Sequence, residues 1–244
     1  MAQIGERVER MKMRAVLGMM LTLLLISMLT LAFNVQSAKA SETIYIRADG
    51  SVEPSDAPIL NVENVSYTLM DNIYGSIIVE RDNIVVDGAD YTIQGTDSGT
   101  GIDLTRRSNV TIRNMGIKAF TFGISILNSS NNSVFRNNIT DNTWGICPRG
   151  CSYNSIIENN ITANLMEGIL LYDSSNNSIV GNNITNNGYG IGLYGSSNNS
   201  IYHNNFANTI DQAYTSDSMN FWDDDYPSGG NYWSDYDGSD SLYG

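Results

Sequence analysis

The feature that most constrains this chain is a repeat of about 22 residues in its second half. Five Gly-Ile pairs follow one another at intervals of 22, 22, 23 and 22 residues: Gly101-Ile102, Gly123-Ile124, Gly145-Ile146, Gly168-Ile169 and Gly190-Ile191. A period of this length is typical of solenoids, in which each unit packs on its neighbours. We therefore predict that the chain is built by stacking similar units.

The last four of these units keep an internal register. An asparagine follows the glycine by nine residues, and an apolar residue follows that asparagine by seven, at Ile139, Ile161, Ile184 and Phe206. Ser- and Asn-rich stretches interrupt every candidate helix, whereas short alternating apolar runs are typical of strands. Three short strands in about 22 residues predict a parallel β-helix, an all-β solenoid. The one extra residue is predicted to form a bulge or longer turn at Leu165-Met166-Glu167.

Asparagine accounts for 30 residues, of which 21 lie between Asn128 and Asn208. In a parallel stack equivalent side chains lie above one another, so repeated asparagines are expected to form hydrogen-bonded ladders. Two ladders are predicted: Asn132, Asn154, Asn177 and Asn199, and Asn137, Asn159, Asn182 and Asn204. The isoleucine series is predicted to form a column inside the core.

Three segments are predicted. Residues 1–40 place four basic residues before an apolar run of 19 residues, Ala15 to Phe33, and end in Ala38-Lys39-Ala40, which indicates a signal peptide cleaved after Ala40. The alternative is an uncleaved membrane anchor, since such a run is just long enough to span a bilayer. Residues 41–215 are predicted to form the β-helix, with an N-terminal cap and about six coils. Residues 216–244 are predicted to form an aromatic, Asp-rich C-terminal cap, or the start of a segment that continues beyond Gly244.

Charge and cysteine content narrow the functional classes. Lys and Arg number 13 against 26 Asp and Glu, which excludes a nucleic-acid binder that works by neutralising phosphates. We expect a secreted or cell-surface protein that meets a membrane only through its N-terminal segment or an anchor beyond residue 244. In that setting Cys147 and Cys151 are predicted to form a short-loop disulfide. The alternative is two free thiols packed as small apolar side chains.

The repeat written Asn-Asn-Ser-Ile, Asn-Asn-Ile-Thr and Gly-Ile resembles that of right-handed parallel β-helix proteins of the pectin-lyase-like fold, in the branch grouped with the NosD copper-accessory proteins. The segment from Trp222 to Tyr236 is similar to one that follows such repeats in large secreted archaeal proteins. The resemblance covers roughly residues 44–244 and implies a right-handed coil. It implies no single activity, because this coil carries lyases, glycosidases, epimerases, adhesins and accessory proteins.

We predict a structural or carbohydrate-binding module without catalysis, whose partner is a polysaccharide or another cell-surface component. One alternative is a polysaccharide lyase or glycosidase, for which Asp141 and Glu167 would supply a carboxylate pair. A second is a copper-accessory protein. The soft ligands available for copper after removal of the signal are His203, Cys147, Cys151, Met70, Met115, Met166 and Met219.

The densest polar chemistry lies in the tail. The carboxylates predicted to bind calcium are Asp223, Asp225, Asp235, Asp237 and Asp240. Trp222, Tyr232 and Trp233 are predicted to contact sugars, and the alternative is that these rings cap the last core layer. Among nine Asn-x-Ser/Thr sequons, Asn138, Asn160 and Asn183 are the predicted glycosylation sites, because each precedes an inward isoleucine and so points outward.

Overall fold

The structure is a computed structural model that describes residues 13, 17–20, 42–225 and 227–237. Residues 1–40 and 41–244 form two separate units. In the first unit residues 13 and 17–20 are helical, and the rest of the predicted signal segment lies outside the described residues. Within the described part of the chain, no helix is both long and apolar enough to cross a membrane.

The second unit is a solenoid whose strands lie on three faces. The first face, which carries the Gly-Ile pairs, contains β1 (Glu42–Ile46), β5 (Ile73–Val79), β8 (Thr100–Asp103), β11 (Phe122–Leu127), β14 (Trp144–Arg149), β17 (Glu167–Tyr172), β20 (Tyr189–Tyr194) and β23 (Asp211–Ser216). The second face contains β3 (Ile59–Val62), β4 (Ser66–Leu69), β6 (Ile84–Asp87), β9 (Val110–Arg113), β12 (Ser133–Phe135), β15 (Ser155–Ile157), β18 (Ser178–Val180) and β21 (Ser200–Tyr202). The third face contains β7 (Thr92–Gln94), β10 (Gly116–Lys118), β13 (Asn138–Thr140), β16 (Asn160–Thr162), β19 (Asn183–Thr185), β22 (Asn205–Ala207) and β24 (Tyr232–Trp233).

Parallel pairing joins each strand to its equivalent in the next coil. β5 pairs with both β7 and β8, so it turns the corner between the third and first faces. Antiparallel pairs occur only at the N-terminal end of the described solenoid, where β2 (Val52–Glu53) pairs with β1 and β3 pairs with β4. The parallel β-helix predicted from the repeat is confirmed, with about seven coils of roughly 22 residues where about six were predicted.

The core is built from columns of similar apolar side chains in register. On the third face Ile117, Ile139, Ile161, Ile184 and Phe206 pair in sequence, and all five are fully buried. Burial of each such side chain contributes about 1.5–3 kcal/mol. The predicted column of core side chains is therefore confirmed.

Asparagine side chains tie the coils together at the corners. In the second-to-third corner, the backbone N–H and the Nδ2 of Asn137 both donate to Asn159 Oδ1, at 2.9 and 3.0 Å. The same Nδ2 also donates to the carbonyl of Ile112 in the preceding coil, at 3.0 Å. One amide therefore connects three coils. The pattern repeats through Asn159, Asn182 and Asn204, and the first predicted ladder, from Asn132 to Asn199, has the same form.

A third ladder, absent from the sequence-based prediction, occupies the corner before the first face. It runs through Asn142, Asn164, Asn187 and Asn208 and ends on Gln212. The Gly-Ile glycines lie beside it. A Cβ on Gly145 would stand 2.3 Å from the carbonyl oxygen of Gly168 in the next coil, so only glycine permits this approach of the two backbones.

Two details of the chain path bear on the predicted boundaries. The extra residue lies in the turn at Leu165 and Met166, so the longer turn is what the structure shows, and Glu167 begins the strand that follows. The coil pattern continues past residue 215, because Ser218, Asn220 and Asn231 accept hydrogen bonds from Ser196, Asn199 and Asn204 as their counterparts do in earlier coils. The tail therefore completes part of another coil.

The ladders predict a sharp difference between two neighbouring asparagines. Asn159→Ala leaves the buried N–H of Asn137 without an acceptor and removes one of the two acceptors of its Nδ2, and each orphaned buried group costs about 1–3 kcal/mol. Asn160→Ala removes only outward hydrogen bonds at the surface. In urea unfolding we expect Asn159→Ala to lower the free energy of unfolding by roughly 2–4 kcal/mol and Asn160→Ala by under about 1 kcal/mol. Equal losses would contradict the proposed role of the inner ladder.

Candidate functional site

The outer surface of the first face carries side chains unlike those of the third. The glycine and the isoleucine of each Gly-Ile pair both face inward, so the outward positions are the residue before the glycine and the residues two and four after it. In-register pairing stacks these outward residues into three columns. The first column contains Thr100, Phe122, Trp144, Glu167, Tyr189 and Asp211; the second contains Asp103, Ser125, Cys147, Leu170, Gly192 and Tyr214; the third contains Leu127, Arg149, Tyr172, Tyr194 and Ser216. On the third face the equivalent positions hold mostly asparagine and threonine.

The aromatic rings of these columns stack on one another. Phe122 and Trp144 lie 5.1 Å apart between ring centroids, with ring planes 16° apart. Tyr172 and Tyr194 are separated by 6.3 Å, and Tyr214 follows Tyr194 at 5.3 Å. Tyr172 and Tyr214 remain about half exposed. The first face therefore presents two aromatic platforms to the surroundings, one near each of its long edges.

A carboxylate lies between the two platforms. Glu167 is the first residue of β17, and its side chain is nearly buried, with 8% of the residue exposed. The indole Nε1 of Trp144 donates to Glu167 Oε2 at 2.8 Å, which fixes the carboxylate on the coil below. Oε1 has no hydrogen-bond partner among the described residues, and because none of their fully buried side-chain oxygens lacks a partner, Oε1 reaches the surface and can accept from a ligand.

Three side chains meet at Gly192, where the second outward column has a glycine and therefore no side chain. A Cβ on Gly192 would lie 3.2–3.5 Å from the Tyr194 ring, Leu170 Cδ1 and Glu167 Cγ. Glycine thus lets a ring, an aliphatic group and a carboxylate meet at one point. Partial burial and then the charge of Glu167 raise the pKa of Tyr194, so its hydroxyl stays protonated and can donate a hydrogen bond.

The two cysteines are free thiols, which contradicts the predicted disulfide. Cys147 lies in the second outward column, where it is buried beneath its neighbours. Cys151 occupies an inward corner position that serine fills in other coils, and its Sγ donates to the Ile126 carbonyl at 2.9 Å as Ser129 Oγ donates to Leu104. The side chains point to opposite sides of the coil wall. Burial raises the pKa of both thiols, so both stay protonated and unreactive.

The tail residues are arranged mainly as a cap. Trp233 stacks on Phe206, the last ring of the core column, at 4.7 Å and 9°, and Trp222 packs against Trp233 at 5.5 Å. These two predicted sugar contacts therefore cover the open end of the core, whereas Tyr232 is exposed.

The acidic residues of the tail are spread out. Asp223 and Asp225 border a surface hollow beside Trp222, whereas Asp235 and Asp237 lie exposed beyond β24. Asp240 lies outside the described residues. Among the described residues, no three His, Cys, Asp or Glu side chains come together as metal ligands. Calcium binding at the tail stays a prediction.

The carboxylate pair considered for catalysis is not assembled. Asp141 lies exposed in the turn before β14, with a φ of 56°, three residues ahead of Trp144. Glu167 aligns with Trp144 and Tyr189 inside the strands of the first face. Asp141 and Glu167 therefore belong to different columns, one at a corner and one on a face.

The predicted glycosylation sites form an outward column of their own. Asn160 Nδ2 donates to Asn138 Oδ1 at 2.7 Å, and Asn183 Nδ2 donates to Asn160 Oδ1 at 2.7 Å. The three side chains face outward as expected, with Asn138 and Asn183 exposed. A glycan on Asn160 or Asn183 would replace a donor that the column uses, so glycosylation stays a prediction that best suits Asn138.

Comparison with known proteins bears on the family. The family described as periplasmic copper-binding protein (NosD) matches residues 29–238. The chain belongs to the NosD family. No curated protein matched the sequence.

Two solved structures resemble this NosD-family chain. A mutant of the periplasmic alginate epimerase AlgG shares 27% identity at a TM-score of 0.50, over 60% of this chain and 39% of that chain. The epimerase without that mutation shares 26% identity at a TM-score of 0.50, over 65% of this chain and 43% of that one. The chain thus spans about two-fifths of the epimerase.

The copper named in the family description does not fit the soft ligands that the structure describes. Met115 is buried in the core, Cys151 fills a serine position, and His203 lies on the tail with Nε2 3.5 Å from Asp224 Oδ1. None of the described His, Cys, Asp and Glu residues gather in threes. The described residues therefore give no basis for a role of copper in the function of this chain.

Sequence reasoning missed the aromatic face, although a signal was present. Phe122 and Trp144 are 22 residues apart, as are Tyr172 and Tyr194, which is the coil period. Each pair also holds a fixed offset from the Gly-Ile glycine of its coil. Searching outward positions for one residue class at the coil period would have found it.

The cysteine assignment has a direct test. In the absence of reductant, two thiols per unfolded chain should react with a thiol-specific reagent. In the folded protein the same thiols should react far more slowly, because both are buried and protonated. Absence of reactive thiols after unfolding would restore the disulfide. A Cys151→Ser variant, which places the residue common at this corner, should fold and release one thiol.

Proposed function

We propose that this NosD-family β-helix is an exported module that binds a polysaccharide along the outer surface of its first face. The observation that carries the proposal is the pair of aromatic platforms, Phe122 with Trp144 and Tyr172 with Tyr194 and Tyr214. The coils repeat about every 4.8 Å, so a polymer laid along the solenoid axis would meet similar rings at regular intervals.

The chemistry of the face suits sugars. A pyranose ring has an apolar C–H surface that stacks on an aromatic ring and a rim of hydroxyls that needs hydrogen-bond partners. The rings supply the platforms, while Glu167 and Tyr194, whose side chains meet at Gly192, supply a carboxylate that accepts and a hydroxyl that donates. Stacking and hydrogen bonding can thus act on one sugar.

The solenoid itself does not require these rings. Its coils are tied by the asparagine ladders and the inward columns, and the third face is equally regular with Asn and Thr outside. Tyr172 and Tyr214 are exposed and the other platform rings are half-buried, and an aromatic surface of this kind is typical of binding sites. This supports a ligand role for the rings of the first face.

An extracytoplasmic location is part of the proposal. The signal-like pattern of residues 1–40 and the family description, which names a periplasmic protein, both support it. A polysaccharide outside the cytoplasm is accordingly the proposed partner, and AlgG, with which the chain shares its fold, is described as an alginate epimerase.

One observation favours a catalytic alternative. Glu167 and Asp211 lie in the same outward column, with Tyr189 between them. Two strand spacings separate their backbones by roughly 10 Å, near the separation of about 6.5–9.5 Å at which two carboxylates act as acid and base in inverting glycosidases. Release of reducing ends from a polysaccharide, lost on Asp211→Asn, would establish this alternative.

The binding proposal predicts that stacking residues matter and other exposed tyrosines do not. Tyr194→Ala removes the central ring of its platform and should weaken polysaccharide binding roughly tenfold, measured by affinity electrophoresis or calorimetry on a panel of soluble polysaccharides. Tyr153→Ala is the matched control, because Tyr153 is exposed at a corner outside the face.

Unchanged binding by Tyr194→Ala, with both variants folded by circular dichroism, would refute the role of the platform. Failure of every polysaccharide to bind the unmodified protein would refute the proposed function as a whole.

A further inference from the structure

The charges of the first face bear on which polysaccharide it takes. The three outward columns hold the carboxylates of Asp103, Glu167 and Asp211 and the single guanidinium of Arg149. Arg149 lies over the Tyr172 ring, with Cζ 5.9 Å from the ring centroid. The centre of the face, where Glu167 and Tyr194 meet, is therefore negative.

The remaining basic residues do not offset this charge. Residues 42–237 contain 8 Lys and Arg against 23 Asp and Glu. Most of the arginines away from the face are held in ion pairs, as in Arg113 with Asp87 and Arg136 with Glu158. Lys118 is on the third face, and Arg106 lies exposed in the turn beyond Thr105.

Repulsion would oppose a polymer of uronic acids at this face. Each sugar of such a polymer carries a carboxylate, and binding would place several of them beside Glu167, Asp211 and Asp103. A nearly buried carboxylate is screened by salt less than an exposed one, so Glu167 dominates the effect. A neutral sugar instead brings hydroxyls that donate to a carboxylate.

We infer that the aromatic face selects neutral polysaccharides over polyuronates, with Glu167 as the selecting residue. The inference rests on the proposed function and adds the class of ligand. It sets this chain apart from the alginate epimerase that shares its fold, because alginate is a polyuronate. The specificity determinant is the carboxylate that Trp144 holds against the face.

Matched oligosaccharides test the inference. β-1,4-linked mannose and mannuronate oligomers differ only in the group at C6, as do β-1,4-linked glucose and glucuronate oligomers. In titrations at low salt, the neutral member of the better-bound pair should bind tighter by on the order of tenfold. Its dissociation constant should change less than about twofold when salt is raised. A uronate that binds as tightly as its neutral partner would overturn the inference.

Two conservative variants separate charge from shape. Glu167→Gln keeps an oxygen that accepts from Trp144 Nε1 but removes the charge, so uronate binding should strengthen roughly threefold and neutral binding should weaken by a similar factor. Arg149→Gln removes the one cation of the three columns, so it should weaken uronate binding more than neutral binding. If Arg149→Gln abolished binding of the preferred oligomer, recognition would depend on a ligand anion and the inference would fail.

These binding measurements distinguish failure of the proposed function, polysaccharide binding, from failure of the proposed selectivity for neutral sugars. Binding that depends on Tyr194 but favours uronates would retain the proposed function and overturn the selectivity. Loss of binding for all four oligomers and for the polysaccharide panel would remove both. A selectivity that survives Glu167→Gln would show that Glu167 is not the determinant.

Discussion

Every coil of this solenoid depends on one amide geometry. A corner asparagine such as Asn159 accepts through Oδ1 from the asparagine of the preceding coil. Its Nδ2 donates to a carbonyl of that preceding coil and to Oδ1 of the asparagine in the following coil, so its side chain does what the backbone alone does elsewhere. Among the described residues, no buried side-chain nitrogen or oxygen lacks a partner. Three such columns leave the faces free to differ, because the outward residues need only be compatible with a strand. The aromatic first face and the polar third face are two results of that freedom.

The repeat determines the fold, and the fold could be predicted from the sequence for a physical reason. Stacking forces equivalent residues into register, so a column such as Ile139, Ile161 and Ile184 is visible as a period in one dimension. Two asparagine ladders followed from the same reasoning. The third was missed because it ends irregularly: Asn142, Asn164 and Asn187 keep the spacing of the other ladders, but Asn208 follows Asn187 by 21 residues and the last rung is Gln212.

The site was harder to predict than the fold. Acidic and aromatic density drew attention to the tail, but Trp222 and Trp233 mainly cover the end of the core. A column of Phe122 and Trp144 is not dense in sequence; it becomes a surface only after the coils stack. The direction in which a side chain points is also not evident from the sequence. Cys147 and Cys151 are close along the chain, yet their side chains lie on opposite sides of the coil wall. Family membership does not replace this geometry, because no three of the described His, Cys, Asp and Glu residues come together as metal ligands.

The corner amides have one consequence for how such a chain can change over time. Because each rung matches the next, duplication of one 22-residue segment in phase would add a coil and break no ladder. The outward residues of the new coil would extend whichever surface the parent coil carried. The length of the binding surface can therefore increase by one coil at a time without disturbing the ladders. Its chemistry can change separately, through single substitutions of outward residues such as Asn, Tyr and Glu. Size and specificity are inherited separately in this architecture.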